Sequence, residues 1–180
     1  RAKFEEKWPD ISVFVKYGML TDDNFYEKGE KFCLLENVDG NFFGLEEYRE
    51  KIAPHQTDKD ENVVYLYATD KEEQHMFISA AGKRDYDVLH LNNVLDSHFI
   101  GLLERKLEKS RFVRVDSDTI DKLIPKGEEA ATQEEGIVLT EEQEGKIKEA
   151  FMKANSRPEI NIQTQALGAD DLPVTITRPG

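Results

Sequence analysis

The chain has 180 residues and a formal net charge of −13 at pH 7. Such an acidic surface repels phosphate groups, which argues against nucleic acid and anionic membrane as partners. The single cysteine, Cys33, excludes an internal disulfide framework and is typical of a reducing compartment, so we expect a cytoplasmic protein. Hydrophobic residues make up 38% of the sequence, which is low for a compact domain but above the disordered range.

The two ends of the sequence resemble cut ends. The chain begins at Arg1 without an initiator Met, and no apolar run is long enough for a signal peptide or a membrane span. Residues 172–180 are typical of a strand entering a turn. We therefore expect a piece excised from a longer protein.

Residues 1–53 are predicted to be mainly helical. Apolar side chains at helical spacing predict a helix over residues 4–20, which Pro9 is expected to start or kink. A second helix is expected from Asp22 to Phe32, and a third from about Leu45 to Ile52. A turn over residues 39–41 separates these two helices.

Residues 54–125 are predicted to form a small α/β unit. Short apolar runs at 63–68, 87–91 and 112–115 predict three strands, with a helix in each interval. This alternation is typical of a parallel sheet with right-handed crossovers. The predicted fold class is therefore α/β, with a helical connector followed by a three-layer α/β/α unit.

The two crossover helices carry recognisable end signals. Asp70 is predicted to cap the first helix in a capping box with Glu73, and the helix is expected to end near Gly82. The second helix is predicted to open at Asp96. Its apolar face comprises Phe99, Leu102, Leu103 and Leu107.

The sequence changes character after residue 125. Residues 126–139 are acidic with few large apolar groups and are predicted to be a linker. Thr140 and Gln143 predict a capping box for a helix to about Asn155. The face of that helix expected to be buried comprises Ile147, Ala150, Phe151 and Ala154. Alternating residues at 160–164 and 174–177 predict paired strands, so residues 140–180 are expected to begin an α+β domain.

No catalytic, metal-binding or cofactor-binding residues are predicted in this chain. The turn after the first strand of the sheet, residues 69–71, carries an acidic residue that would repel a phosphate group. Cys33 is expected to be a small buried hydrophobe, Trp8 a core residue, and the acidic pair Asp116 and Asp118 solvated. The histidines have no metal-ligand spacing and are expected at surface or boundary positions; they are His55, His75, His90 and His98.

Several short stretches, taken in order, resemble the heat-shock protein 90 family. Residues 15–20 are similar to its Lys-x-Gly-Ile segment, and residues 45–52 to its Ser-Leu-x-x-Tyr-x-x-Arg-Met element. Residues 63–69 resemble its Ile-Tyr-Tyr-Ile-Thr strand. Residues 87–91, followed by Leu95-Asp96, resemble its Glu-Val-Leu-x-Leu strand with the Ile-Asp that follows.

This resemblance implies a segment of a dimeric, ATP-dependent chaperone. Residues 1–53 would be the helical connector of the middle domain, and residues 54–125 its small α/β/α unit. The linker at 126–139 would lead into the C-terminal domain, which would start with residues 140–180. The intact parent would bind ATP and magnesium in a separate ATPase domain, form a homodimer and act on unfolded or partly folded client proteins. The segment itself would bind no cofactor.

The resemblance also implies a client-contact position at the start of the helix that opens at Asp96. In the family, the matching first turn faces the space between the two arms of the dimer, where clients are held. We therefore predict Asp96, Ser97 and His98 as candidate client-contact residues. Leu95 and Asp96 match the motif, whereas Ser97 and His98 stand where the family often has Glu and an aromatic residue.

Two alternatives are an independent small enzyme with a flavodoxin-like or Rossmann-like sheet and a scaffold domain of an unrelated protein. The lack of a phosphate-binding glycine loop argues against the enzyme. The ordered series of family-like stretches argues against the unrelated scaffold.

Overall fold

A computed structural model describes residues 1–117 and 140–154, together with the single positions 162, 164 and 174. The chain divides into two compact units, and the first contains every described residue up to Ser117. The second contains helix α6 (Glu141–Ala154). The predicted linker at 126–139 lies outside the described residues, as do most positions of the two strands predicted after residue 159.

The first unit opens with two helices, α1 (Ala2–Thr21) and α2 (Asp23–Gly29), which pack together. Helix α1 begins at Ala2 and continues through Pro9, so of the two expectations for Pro9, that it starts the helix is wrong. Proline removes one hydrogen-bond donor from a helix interior. Here the neighbouring Trp8 is buried and its ring lies 5.6 Å from that of Phe4, so apolar packing stabilises the turn that precedes Pro9.

A short antiparallel hairpin follows, which sequence reasoning missed. Its strands are β1 (Leu34–Glu36) and β2 (Phe42–Gly44). Asn37 holds the turn, because its side-chain oxygen accepts hydrogen bonds from the backbone N–H groups of Asp39 and Asn41. Gly40 adopts a φ of 81°, in the left-handed region that favours glycine. Helix α3 (Leu45–Ile52) then begins directly after β2, as predicted.

The predicted three-stranded parallel sheet is confirmed. Its strands are β3 (Val63–Ala68), β4 (Val88–His90) and β5 (Ser110–Arg114), in the order β4-β3-β5. Two helices connect them, α4 (His75–Gly82) and α5 (Asp96–Lys106). The first crossover runs one way along the sheet and the second runs back past β3, so crossovers of the same hand place α4 and α5 on opposite faces.

The central strand β3 is enclosed on both faces. Val63 and Tyr65 point into a core shared with the helices α1, α3 and α5 and the hairpin, whereas Val64, Leu66 and Ala68 point into a smaller core shared with α4. Tyr65 stacks on Phe112 of β5 with ring centroids 4.5 Å apart. A continuous apolar run is the sequence expected of a strand buried on two sides.

The start of α4 differs from the prediction. Asp70 does accept hydrogen bonds from the backbone N–H groups of Glu72 and Glu73, each at 2.9 Å. The reciprocal bond comes from Gln74, whose side-chain oxygen accepts from the N–H groups of Thr69 and Asp70. The helix therefore begins at His75 rather than directly after Asp70, and it ends at Gly82 as expected.

A cluster of polar side chains around Asp87 connects the hairpin and α3 to the sheet. Tyr48 donates to one carboxylate oxygen at 2.9 Å, Asn37 donates to the other at 3.2 Å, and Lys51 forms an ion pair with the group. The backbone N–H of Asp87 donates to the side chain of Gln56 at 2.6 Å. Tyr48, Asn37 and Gln56 are almost fully buried. Each of these three buried polar side chains thus has a partner, as a stable interior requires.

Helix α6 confirms its predicted cap but not its predicted buried face. The backbone N–H of Thr140 donates to Gln143 at 2.9 Å, and the N–H of Gln143 donates back to the Thr140 hydroxyl at 3.4 Å. Ile147 is half-buried, whereas Ala150, Phe151 and Ala154 are exposed. Among the described residues, no neighbouring element covers this face, so the expectation that it is buried is wrong for this structure.

Cys33 is fully buried, which confirms the prediction of a small interior hydrophobe. Burial raises the pKa of its thiol to about 12, because the thiolate would lose its hydration. Nearby Lys16 acts weakly in the opposite direction, and Asp96 acts in the same direction as burial. The thiol therefore stays protonated and enclosed at neutral pH.

The Asp87 cluster generates a stability prediction. We expect Asp87→Ala to lower the free energy of unfolding by about 2–3 kcal/mol, because it leaves the buried hydroxyl of Tyr48 and amide of Asn37 without their acceptor. Urea denaturation followed by circular dichroism measures this. The matched control is Glu50→Ala, an exposed change on α3 that should stay within about 0.5 kcal/mol of wild type. Equal effects of the two changes would contradict the assigned role.

Cys33 generates a prediction of reactivity and pH dependence. In the folded chain at pH 8, an aromatic disulfide reagent should react with Cys33 only through unfolding, whereas the urea-unfolded chain should react at once. Because the pKa of the thiol is raised in the folded chain, protonated Cys33 contributes to the stability of the fold at neutral pH. That contribution is lost as the pH rises from the unfolded thiol pKa towards about 12. Rapid labelling of the folded chain at pH 8 would contradict the burial of this thiol.

Candidate functional site

The first turn of α5 is built by a reciprocal set of hydrogen bonds between Asn93 and Asp96. The backbone N–H of Asn93 donates to a carboxylate oxygen of Asp96 at 2.8 Å, and the N–H of Asp96 donates to the Asn93 carbonyl at 3.0 Å. The side-chain oxygen of Asn93 accepts from the N–H of Leu95 at 3.1 Å. These bonds give the chain a fixed entry into the helix, although Leu95 at the cap position offers no side-chain acceptor.

Asp96 also forms a buried ion pair with Lys16 of α1. Lys16 is 7% exposed and Asp96 is 4% exposed, and the ammonium group donates to the carboxylate oxygen that Asn93 leaves free. A buried carboxylate without a counter-charge would be very costly, so the lysine is required where Asp96 is charged. The pair joins two helices that are 80 positions apart along the chain.

The same ammonium group lies over the ring of Phe99, 5.5 Å from its centroid. Phe99 is buried in the main core and lies one helical turn after Asp96. Lys16 thus contacts two successive inward positions of α5 through an ion pair and a cation–π interaction. Positions 97 and 98 lie between them and face the other way.

Ser97 and His98 are both exposed, and the hydroxyl of Ser97 lies 3.2 Å from Nδ1 of His98. Val94, just before the turn, is 85% exposed. The turn therefore presents one apolar, one hydroxyl and one imidazole side chain to solvent. Side chains of this mixture can make weak apolar and polar contacts with another protein.

The structure separates the three predicted contact residues into two groups. Ser97 and His98 lie at the surface, where the prediction needs them, and their role in client contact stays a prediction. Asp96 is buried in its ion pair, so it supports the turn from within and does not offer a contact surface.

The carboxyl ends of the strands are where parallel sheets bind ligands. The backbone N–H groups of Thr69 and Asp70, which follow β3, are taken up by Gln74. Asp116, which follows β5, is buried and paired with Arg114 at 2.5 Å, so the expectation that it is solvated is wrong. Asp118 lies outside the described residues. Within the described ranges, no group of three or more His, Cys, Asp or Glu side chains could hold a metal ion.

The histidines occupy surface and boundary positions, as predicted. His55, His75 and His98 are exposed, whereas His90 is half-buried at the end of β4. Burial lowers the pKa of His90, and the nearby positive charge of Lys71 acts in the same direction. Both effects favour the neutral form of His90.

Lys16 is the residue of this site that sequence reasoning missed. It lies on the inward face of α1 with Ser12, Val15 and Met19, and a lysine at such a position is a signal that a partner is buried with it. The identity of that partner could not be read from the sequence, because Asp96 is brought close only by the packing of α5 on α1.

Known proteins match this chain along nearly its whole length. It is 44% identical over 181 aligned residues to the chaperone protein HtpG of Bacteroides fragilis strain YCH46, 46% to that of Bacteroides thetaiotaomicron and 43% to that of Porphyromonas gingivalis strain ATCC 33277. Each alignment covers 99% of this chain. The chain spans 26% of the length of each of these relatives.

Family models and solved structures give weaker support than these relatives or none. No protein-family model matches the chain. The middle domain of a putative heat shock protein from Plasmodium falciparum is similar over 64% of this chain and 48% of that domain, with 16% identity and a TM-score of 0.46. Within the described residues, no helix is both long and apolar enough to cross a membrane.

The assignment rests on the sequence matches, since the structural likeness is too low to carry it. The matches agree with the family suggested by the ordered motifs, and they extend beyond those motifs to both ends of the chain. An identity of 43–46% in alignments that cover 99% of the chain shows that this chain is an HtpG-type segment of the heat-shock protein 90 family.

Proposed function

We propose that this chain is a non-catalytic segment of an ATP-dependent molecular chaperone that couples ATPase-driven motion to client folding. The observation that carries the proposal is the similarity of this chain to proteins named chaperone protein HtpG. The identity is 43–46%, and the alignments cover 99% of the chain. In the intact parent, a separate domain would bind ATP and magnesium, and the parent would act in the cytoplasm as a homodimer. Its partners would be unfolded or partly folded client proteins.

The architecture of the first unit supports a role in transmitting motion. Helix α1 is connected to the α/β unit by the Lys16–Asp96 ion pair, and the hairpin and α3 are connected to it by the Asp87 cluster. Elements joined by buried polar contacts and a shared core move together rather than sliding past one another. A segment built in this way would pass a displacement of one end on to the other.

We also propose that the first turn of α5 offers client surface through Ser97 and His98. The turn is exposed, carries the strongly exposed Val94 beside these two side chains, and is fixed from inside by Asn93 and Lys16. Unfolded clients expose apolar and polar groups in no fixed order, so weak mixed contacts suit them better than a deep pocket. Replacement of the family's aromatic by His98 would make each contact weaker without abolishing it.

The proposal predicts that the isolated chain neither binds nor hydrolyses ATP. The backbone N–H groups after β3 are already engaged by Gln74, and Asp70 at that turn would repel the phosphates. Isothermal titration calorimetry with magnesium-ATP should show no saturable heat at micromolar concentrations. Saturable binding by the isolated chain would favour the independent-enzyme alternative instead.

His98 provides the test of client contact in the full-length chaperone. We expect His98→Trp to tighten binding of an unfolded client by about threefold, because it adds apolar contact area. We expect His98→Asp to weaken binding to a similar degree, because a carboxylate resists transfer from water to an apolar contact. Fluorescence anisotropy with labelled, reduced and carboxymethylated α-lactalbumin measures both.

The ATPase rate is the internal control for these variants, and it should stay unchanged because His98 is exposed on the outward side of α5. His55→Trp is the matched control, since His55 is another exposed histidine in a different part of the α/β unit. If His98→Trp and His98→Asp both bind the client as wild type does, His98 has no part in client contact.

A further inference from the structure

The stability of the core does not by itself require a charged pair at the positions of Lys16 and Asp96. The two side chains are 9% and 5% exposed, and apolar side chains of similar volume at such positions stabilise a core equally well or better. A buried charged pair differs from an apolar pair in being directional, since its hydrogen bonds are made in one arrangement only. The feature to explain is therefore the orientation that this pair imposes.

Both carboxylate oxygens of Asp96 are committed. One accepts from Lys16, and the other accepts from the backbone N–H of Asn93 at 2.8 Å. The carboxylate cannot rotate without losing one of these bonds, and its second bond is to the loop that enters α5. Lys16 consequently fixes the entry loop as well as the helix.

Lys16 also fixes the rotation of the helix about its own axis. Its ammonium group contacts Asp96 and lies 5.5 Å from the ring centroid of Phe99, so two inward positions one turn apart are held by a single group. Ser97 and His98 lie between these positions on the outward side. A rotation that moved them would have to pull Asp96 or Phe99 away from the ammonium group.

We propose that Lys16 is a positioning residue for client contact, which rests on the proposed function of Ser97 and His98. Through Asp96 and Phe99, it holds the first turn of α5 in one orientation and so presents the two outward side chains ready for binding. A contact site that is ordered before binding loses less entropy when the client binds. Lys16 itself is buried and touches no client.

The paired variant Lys16→Met with Asp96→Asn tests this in the full-length chaperone. It removes both charges together, so no unpaired charge is buried, and the new amide oxygen can still accept from Asn93. We expect binding of labelled, reduced and carboxymethylated α-lactalbumin to weaken by about threefold, because the turn is no longer held in one orientation. The control is Lys109→Gln with Glu61→Gln, an exposed pair with side chains 59% and 78% exposed, which should bind as wild type does.

Hydrogen exchange separates positioning from a loss of general stability. In the paired variant, mass spectrometry should show exchange rising by about tenfold in peptides over residues 94–100, where the turn opens locally. Exchange in peptides over β3 should stay unchanged. A rise of equal size in both regions would assign Lys16 a purely structural role and overturn the proposal.

A milder variant keeps the test decisive if the paired variant does not fold. Lys16→Arg keeps the positive charge that Asp96 requires but replaces the compact ammonium group by a larger planar guanidinium, which changes the geometry towards Asp96 and Phe99, so we expect a smaller change in the same two measurements. Wild-type client affinity in every variant of Lys16 that folds would overturn the proposal, whether or not exchange changes. Failure of the proposed function shows separately, as wild-type client binding by both His98 variants.

Discussion

The burial of strand β3 on both faces is the constraint on which the first unit depends. A central strand of a parallel sheet must be covered on each side, because its neighbours β4 and β5 protect only its edges. Helix α4 covers one face, and α1, α3 and α5 with the hairpin cover the other. The long N-terminal segment is therefore part of the core of the α/β unit and not a separate appendage.

The elements on the larger face come from distant parts of the sequence, and polar contacts set how they meet. Asp87 gathers Tyr48, Asn37 and Lys51, so the hairpin and α3 meet the start of β4 in one arrangement. Lys16 and Asp96 do the same for α1 and α5. Apolar packing supplies most of the driving force for folding, whereas these directional contacts select one arrangement of the packed elements.

The same division applies at the first turn of α5, where directional contacts lie inside and the exposed side chains lie outside. The buried charges support this surface turn, and the turn itself carries only a hydroxyl, an imidazole and an exposed valine. Affinity spread over several weak contacts suits partners that have no common sequence.

Sequence alone determined the elements whose signals are local. The apolar run at 63–68 predicted the central strand, the spacing of Phe99, Leu102 and Leu103 predicted the inward face of α5, and Thr140 with Gln143 predicted the cap of α6. The strand–helix alternation fixed the parallel sheet, because chain chirality allows few ways to connect such units. The ordered motifs were enough to indicate the family from the sequence alone.

Only the tertiary structure decided which distant residues meet. The hairpin was missed because three-residue strands carry too weak a local pattern, and its pairing depends on the turn that Asn37 holds. Asp96 was predicted to be a helix start and a candidate client contact, yet it is buried in an ion pair with Lys16, which lies 80 positions away along the chain. A local pattern gives the face on which a residue lies, but the partner on that face is set by packing between elements, and the sequence carries no direct signal of it.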